Sequence, residues 1–168
     1  MTKVQVYVAT SLDGYIARKD GSIDWLPQPS DSSYGTFYTS VDTVIMGKTT
    51  YDQVLTFGDY PYKDKKSFVF SKSSQTKEDH AKFLPDVAKF VRDGFPDAGK
   101  NIWIVGGSKT IDYFLKQGAV DEIILTVVPV ILGRGIPLFQ NGNDTIKLEL
   151  VKTERFGQLV DLRYKLTK

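Results

Sequence analysis

The stretch Ile102-Trp103-Ile104-Val105-Gly106-Gly107-Ser108-Lys109-Thr110 runs from an apolar segment through two glycines into a hydroxyl-rich helix start. Asn101 to Val105 reads as a strand that Gly106-Gly107 stops. The helix after it turns Ile111, Phe114 and Leu115 to one side, and Gly118 is its C-terminal stop. The same layout occurs in Val44-Ile45-Met46-Gly47-Lys48-Thr49-Thr50: Thr43 to Met46 is a strand, Gly47 ends it, and Lys48 to Leu55 is a helix. Glycine lets a phosphate approach the backbone, and a helix N-terminus offers unpaired N–H donors at the positive end of a dipole. Thr49, Thr50, Ser108 and Thr110 add hydroxyl donors. In an α/β sheet such turns lie at the carboxyl ends of strands, where ligands bind. Neither turn is a G-x-G-x-x-G or a P-loop, which disfavours the common dinucleotide and triphosphate folds. Two of them, with Ser71-Lys72-Ser73 at another strand end, point to an elongated, phosphate-bearing ligand.

Upstream, Val4, Val6 and Val8 alternate with Gln5, Tyr7 and Ala9 as a first strand. Ser11 to Ala17 follows, then a turn at Asp20-Gly21. Pro27 and Pro29 keep the next stretch irregular. Ser30 or Asp31 caps a short helix to about Val41 that buries Tyr34, Phe37 and Val41. Ser67 to Phe70 is a strand, and Lys82 to Leu84 a shorter one. After Pro85, Val87, Phe90 and Val91 mark a helical face. Ile123 to Val130 is a long β-branched strand, and Gly133-Arg134-Gly135 is a mobile turn before Ile136 to Phe139. Ile146 to Phe156 and Leu159 to Leu166, joined by Gly157-Gln158, form an antiparallel hairpin. This alternation predicts a single α/β domain over residues 1–168, a mixed, mostly parallel sheet with helices on both faces.

Composition narrows the chemistry. The 168 residues suit one domain with its own core, and 41% hydrophobic with 25% charged residues is a folded composition. Basic and acidic side chains number 22 and 20, a net charge of +2 that is too balanced for a nucleic-acid or anionic-membrane partner. Cysteine is absent, which removes disulfides, thiolate catalysis and cysteine-ligated metals. The single histidine, His80, lies in the polar stretch Gln75 to Lys82, so neither a metal site nor a Ser-His-Asp triad is expected. Met1 to Ser11 lacks the apolar core of a signal peptide. The most apolar stretch, Ile123 to Leu132, is broken by Thr126 and Pro129 and falls short of the ~20 residues that span a bilayer. The expected location is cytoplasmic.

Together the segments resemble the dihydrofolate reductase-like superfamily, and more closely the reductase domain of the bifunctional riboflavin-biosynthesis deaminase/reductase and its stand-alone relatives. The resemblance spans essentially the whole chain. It is carried by Ser11-Leu12-Asp13-Gly14-Tyr15-Ile16-Ala17, by Val44 to Tyr51, by Val105-Gly106-Gly107, and by Pro129 through Leu132-Gly133 to Pro137-Leu138-Phe139. The first and last lean toward the riboflavin branch. The resemblance implies a dihydrofolate reductase-like fold with NADPH as hydride donor. It implies that backbone at Ala9 and Ile16 flanks the nicotinamide carboxamide. It places Gly47, Lys48, Thr49 and Thr50, with Gly107, Ser108, Lys109 and Thr110, around the pyrophosphate. Ser71, Lys72 and Lys48 are then near the adenosine 2′-phosphate, where cations and hydroxyl donors suit a second phosphate. The Gly106-Gly107 peptide is often cis in the superfamily. A homodimer is also implied, with the strand Ile123 to Val130 and the apolar loop to Phe139 as its candidate surface.

On the substrate side, Asp31 falls by its spacing to Gly47 where folate-reducing relatives place their active-site carboxylate; the plain alternative is a helix N-cap. Asp13 is the rival carboxylate, and its plain alternative is a turn-forming Asp-Gly. Trp25 lies on the loop expected to cover the nicotinamide, while Leu132, Gly133 and Arg134 sit in a motif loop expected to meet substrate. The helix after Asp31 is poor in the residues that hold a folate, with Gly35 in place of a bulky one. The expected activity is NADPH-dependent reduction of a pyrimidine- or pterin-type heterocycle. Its riboflavin-pathway form reduces the ribosyl group of an aminopyrimidine phosphate; dihydrofolate or another pteridine is the alternative substrate. A non-catalytic, nucleotide-binding dimer is the reading from another class.

Overall fold

In the computed structural model, residues 2–28, 33–73, 80–95 and 99–167 are described. Strand β1 (Val4–Ser11) is buried on both faces, and the sheet grows from both its edges. Its parallel neighbours are β6 (Asn101–Gly106) and β7 (Glu122–Val128). Beyond β6 lie β3 (Val41–Gly47), β4 (Lys66–Phe70) and β5 (Lys82–Leu84), all parallel. Beyond β7 come β10 (Leu159–Leu166) and β9 (Leu148–Phe156), joined as the expected antiparallel hairpin. The order is β5-β4-β3-β6-β1-β7-β10-β9, and β10 alone runs against the rest. A second, two-stranded sheet pairs β2 (Tyr15–Ala17) with β8 (Ile136–Pro137).

The period-two pattern sorts side chains to two cores. Val4, Val6, Ile45, Ile102 and Ile104 face one side, with Phe90 of α3 (Val87–Asp93) and Ile111, Phe114 and Leu115 of α4 (Ser108–Lys116). Val44, Met46, Trp103 and Tyr7 face the other, with Phe37 of α1 (Tyr34–Ser40) and Tyr51 and Val54 of α2 (Lys48–Leu55). Helices therefore cover both faces. Each fully buried side chain of this size contributes about 1.5–3 kcal/mol relative to exposure.

Several boundaries shift for local reasons. The first helix ends at Ser40, because Val41 is already extended and pairs with Asn101. β7 stops at Val128: Pro129 has no N–H to donate, and the Val130 amide turns back to the Val128 carbonyl. Of Ile136 to Phe139 only the first two residues pair. The strand offered as a dimer surface is interior, with β1 and β10 on its two edges. Exposed apolar side chains lie instead at Ile131 and Phe139 and on β9 at Leu148, Leu150 and Val151. Among the described residues, no helix is long and apolar enough to cross a membrane.

Candidate active site

The chain crosses from one side of β1 to the other between β6 and β7, and the ends of these parallel strands open on one sheet edge, the place where open α/β sheets bind ligands. Two helices begin there. Gly47 precedes α2 and Gly107 precedes α4, and neither can cap its helix with a side chain. The turns emerge side by side because Met46 pairs with Gly106. They also face each other: a Cβ on Gly47 would sit 2.8 Å from Thr110 Oγ1, and one on Gly107 would sit 3.4 Å from Thr50 Oγ1. The peptide between Gly106 and Gly107 is cis. Two first turns of unpaired amides, flanked by threonine hydroxyls, form a donor set suited to a pyrophosphate.

A cleft of about 640 Å³ leads from these turns along β1. Ala9, Ile16, Thr49, Thr50, Val105, Gly106, Gly107, Ser108, Lys109 and Thr110 all line it. Gly47 and Lys48 are not among the lining residues, and Lys48 is ion-paired with Asp52 one turn along α2. Register pairs Gly47 with Phe70, so Ser71 and Lys72 follow at the same sheet edge. Ser71 Oγ accepts from the Ser73 amide at 3.2 Å, and Lys72 is exposed. Ala17 joins Ile16 at the cleft because Gly135 lets two segments touch: a Cβ there would lie 2.3 Å from the Ala17 carbonyl oxygen.

The substrate-side residues divide differently. Asp31 lies outside the described residues. Asp13 is exposed and outside the cleft lining. Its carboxylate accepts from Ser11 Oγ at 2.6 Å and from the Leu132 and Gly133 amides at 3.1 and 2.8 Å. The Ser11 hydroxyl and the two amides hold it below the usual carboxylate range. Asp13 therefore clasps two motif loops together, and the turn expected to be mobile is pinned at Gly133. Leu132, Gly133 and the exposed Arg134 stand outside the lining as well. Trp25 is half-buried between Ile23 and Leu26, which line the cleft, and its indole N–H has no acceptor among the described residues. His80 stacks on Tyr60 at 4.9 Å.

Other residues stand out only in the structure. Tyr7, Tyr34, Tyr62 and Trp103 wall the end of the cleft away from the helix starts, with Tyr34 and Tyr62 centred 5.9 and 5.4 Å from Trp103. Burial raises the Tyr34 and Tyr62 hydroxyls, which keeps them protonated. Beneath this wall is Asp161, 4% exposed. It accepts from Thr126 Oγ1 at 2.6 Å and from the Ser33 hydroxyl, which in turn meets the Tyr7 hydroxyl at 3.3 Å. The legible signal was a charge at an inward strand position, two residues after buried Leu159.

YwjB of Bacillus subtilis (strain 168), an uncharacterized protein, is 45% identical over 168 residues, covering 96% of this chain and 97% of its own. A putative riboflavin biosynthesis protein from Shewanella sp. PV-4 superposes with a TM-score of 0.82 at 33% identity, covering 99% of this chain and 100% of that one. RibD of Acinetobacter baumannii shares the fold at a TM-score of 0.75 and 16% identity, over 99% of this chain and 58% of its own. The profile of the RibD C-terminal domain matches residues 63–162. The chain thus belongs to the RibD C-terminal domain family, with its dihydrofolate reductase-like α/β fold.

Proposed function

We propose that this chain is an NADPH-dependent reductase of a pyrimidine- or pterin-type heterocycle. The observation that carries the reading is the pair of helix starts facing each other across one cleft whose far end is walled by aromatic rings. When bound, NADPH supplies a hydride to a C=N or C=O carbon of the substrate, and a proton completes the reduction. The α2 and α4 first turns, with Thr50 and Thr110, hold the pyrophosphate. Backbone at Ala9 and Ile16 orients the carboxamide. Lys48, Ser71 and Lys72 receive the 2′-phosphate, Lys48 by exchanging its partner Asp52. The apolar walls at Ile16, Ile23 and Leu26 exclude water from the reacting carbon.

Family membership also favours the riboflavin-pathway form, reduction of a ribosylated aminopyrimidine phosphate; dihydrofolate is the comparison substrate. Exposed Ile131, Phe139 and β9 support a homodimer, which sedimentation tests. Trp103 lines the cleft, so intrinsic fluorescence reports cofactor binding. Tighter binding of NADPH than of NADH, together with substrate-dependent loss of NADPH absorbance, is the expected result. Absence of binding by either cofactor overturns the reading. Binding without turnover of any heterocycle supports instead a non-catalytic nucleotide-binding protein.

A further inference from the structure

We infer that the aromatic end of the cleft recognises a flat heterocycle through an N–H donor edge, with Asp161 as the positioning residue that sets this polarity. That the ligand is the substrate rests on the reductase reading; the polarity rests on hydrogen bonding alone.

Asp161 on β10 lies directly opposite Thr126 on β7. Paired antiparallel residues share a face, and this face is the cleft's, since Thr126 and Leu159 line it. A hydroxyl carries one proton. Thr126 gives its proton to Asp161 Oδ1, so toward the cleft it can only accept. Ser33 gives its proton to Asp161 Oδ2, so its contact with Tyr7 has the phenol as donor. Tyr7 is then also left as an acceptor. Both cleft hydroxyls thus present lone pairs, ordered by one buried carboxylate. Among the described residues no lysine or arginine pairs with Asp161, and its partners are these hydroxyls.

Shape limits the ligand further. The rings of Tyr34, Tyr62 and Trp103 suit a flat face. An amino- or imino-bearing heterocycle satisfies both conditions.

Asp161→Asn puts N–H donors where one oxygen accepted. The hydroxyl facing the amide nitrogen becomes an acceptor, and a proton is released toward the cleft at Thr126, or through Ser33 at Tyr7. Ligand-observed NMR with aminopyrimidine and methoxypyrimidine reads this switch, on protein with and without NADP⁺. The wild type is expected to prefer aminopyrimidine over methoxypyrimidine by about tenfold. In Asp161→Asn the preference disappears or inverts. Thr126→Ser keeps it and Thr126→Val loses it, which maintains the test if Asp161→Asn fails to fold. An unchanged preference in Asp161→Asn and Thr126→Val, or no binding of any probe, overturns the inference. A polarity switch in protein that does not bind NADP⁺ overturns the reductase reading and leaves this one standing.

Discussion

Gly135→Ala tests how the cleft wall is held. A Cβ there would lie 2.3 Å from the Ala17 carbonyl oxygen and 3.3 Å from two Tyr15 side-chain atoms. Ordinary contact begins at 3.4 Å, so the two segments must separate by about 1 Å. The strain falls on backbone, because Ala17 pairs with Ile136 and Tyr15 with Pro137. Overpacking of this kind costs about 1–3 kcal/mol, and a weakened ladder bond adds about 1 kcal/mol. Reduced freedom of the unfolded chain returns about 0.4–1 kcal/mol. The net loss is about 2 kcal/mol, a fall in Tm of roughly 4–8 °C for a domain of this size. Calorimetry measures it, and fluorescence titration should show weaker NADP⁺ binding, since Ile16 and Ala17 move with β2. Gly35→Ala is the control: nothing lies within 4 Å of its Cβ, and in α1 the change should stabilise by about 0.5–1 kcal/mol. A Gly135→Ala protein that melts with the wild type and binds NADP⁺ equally well refutes the reasoning.

Gly47→Ala brings a methyl within 2.8 Å of Thr110 Oγ1 at an unstrained φ of −78°, so NADPH affinity should drop about tenfold with little change in Tm. Adding Thr110→Ala removes the collision and separates steric closure from the lost hydroxyl. Replacing both Lys48 and Lys72 with alanine should bring the NADPH and NADH dissociation constants together; a retained preference removes the 2′-phosphate assignment. Burial raises Glu122, but bonds from Lys3 and Gln5 outweigh it and leave the carboxyl below its ordinary value of 4.5. A depressed carboxylate stabilises above its ordinary value and loses that contribution as pH falls through the folded value. Urea titrations should therefore show Glu122→Gln about 1–2 kcal/mol less stable at neutral pH, with the gap closing below pH 4.5.

The parts of this molecule that sequence reveals are those determined within one turn of chain. Alternation identifies β1, a short apolar run identifies β3 from Thr43, and the glycines at 47 and 106–107 mark the helix starts, because backbone freedom and helix termini are local matters. What stays hidden depends on partners far away. Asp13 looks like any Asp-Gly turn until it meets amides 119 and 120 residues on. Thr126 looks like a polar break in an apolar run until Asp161 folds beside it. The strand around Ile123 is apolar enough for an interface, and only topology reveals two neighbours already covering its edges.

The central place of β1 has a consequence for biosynthesis. Its neighbours pair Val4 with Ile102 and Gln5 with Glu122. At about 5–20 residues per second, a ribosome takes roughly 5–20 s to make the hundred residues that separate β1 from its first partner. Through that interval an apolar strand has both edges bare, a target for chaperones and for neighbouring nascent chains. The cleft, walled by β1 and floored by Thr126, also takes Leu159 of β10 into its lining. It takes shape only after the last third of the polypeptide arrives.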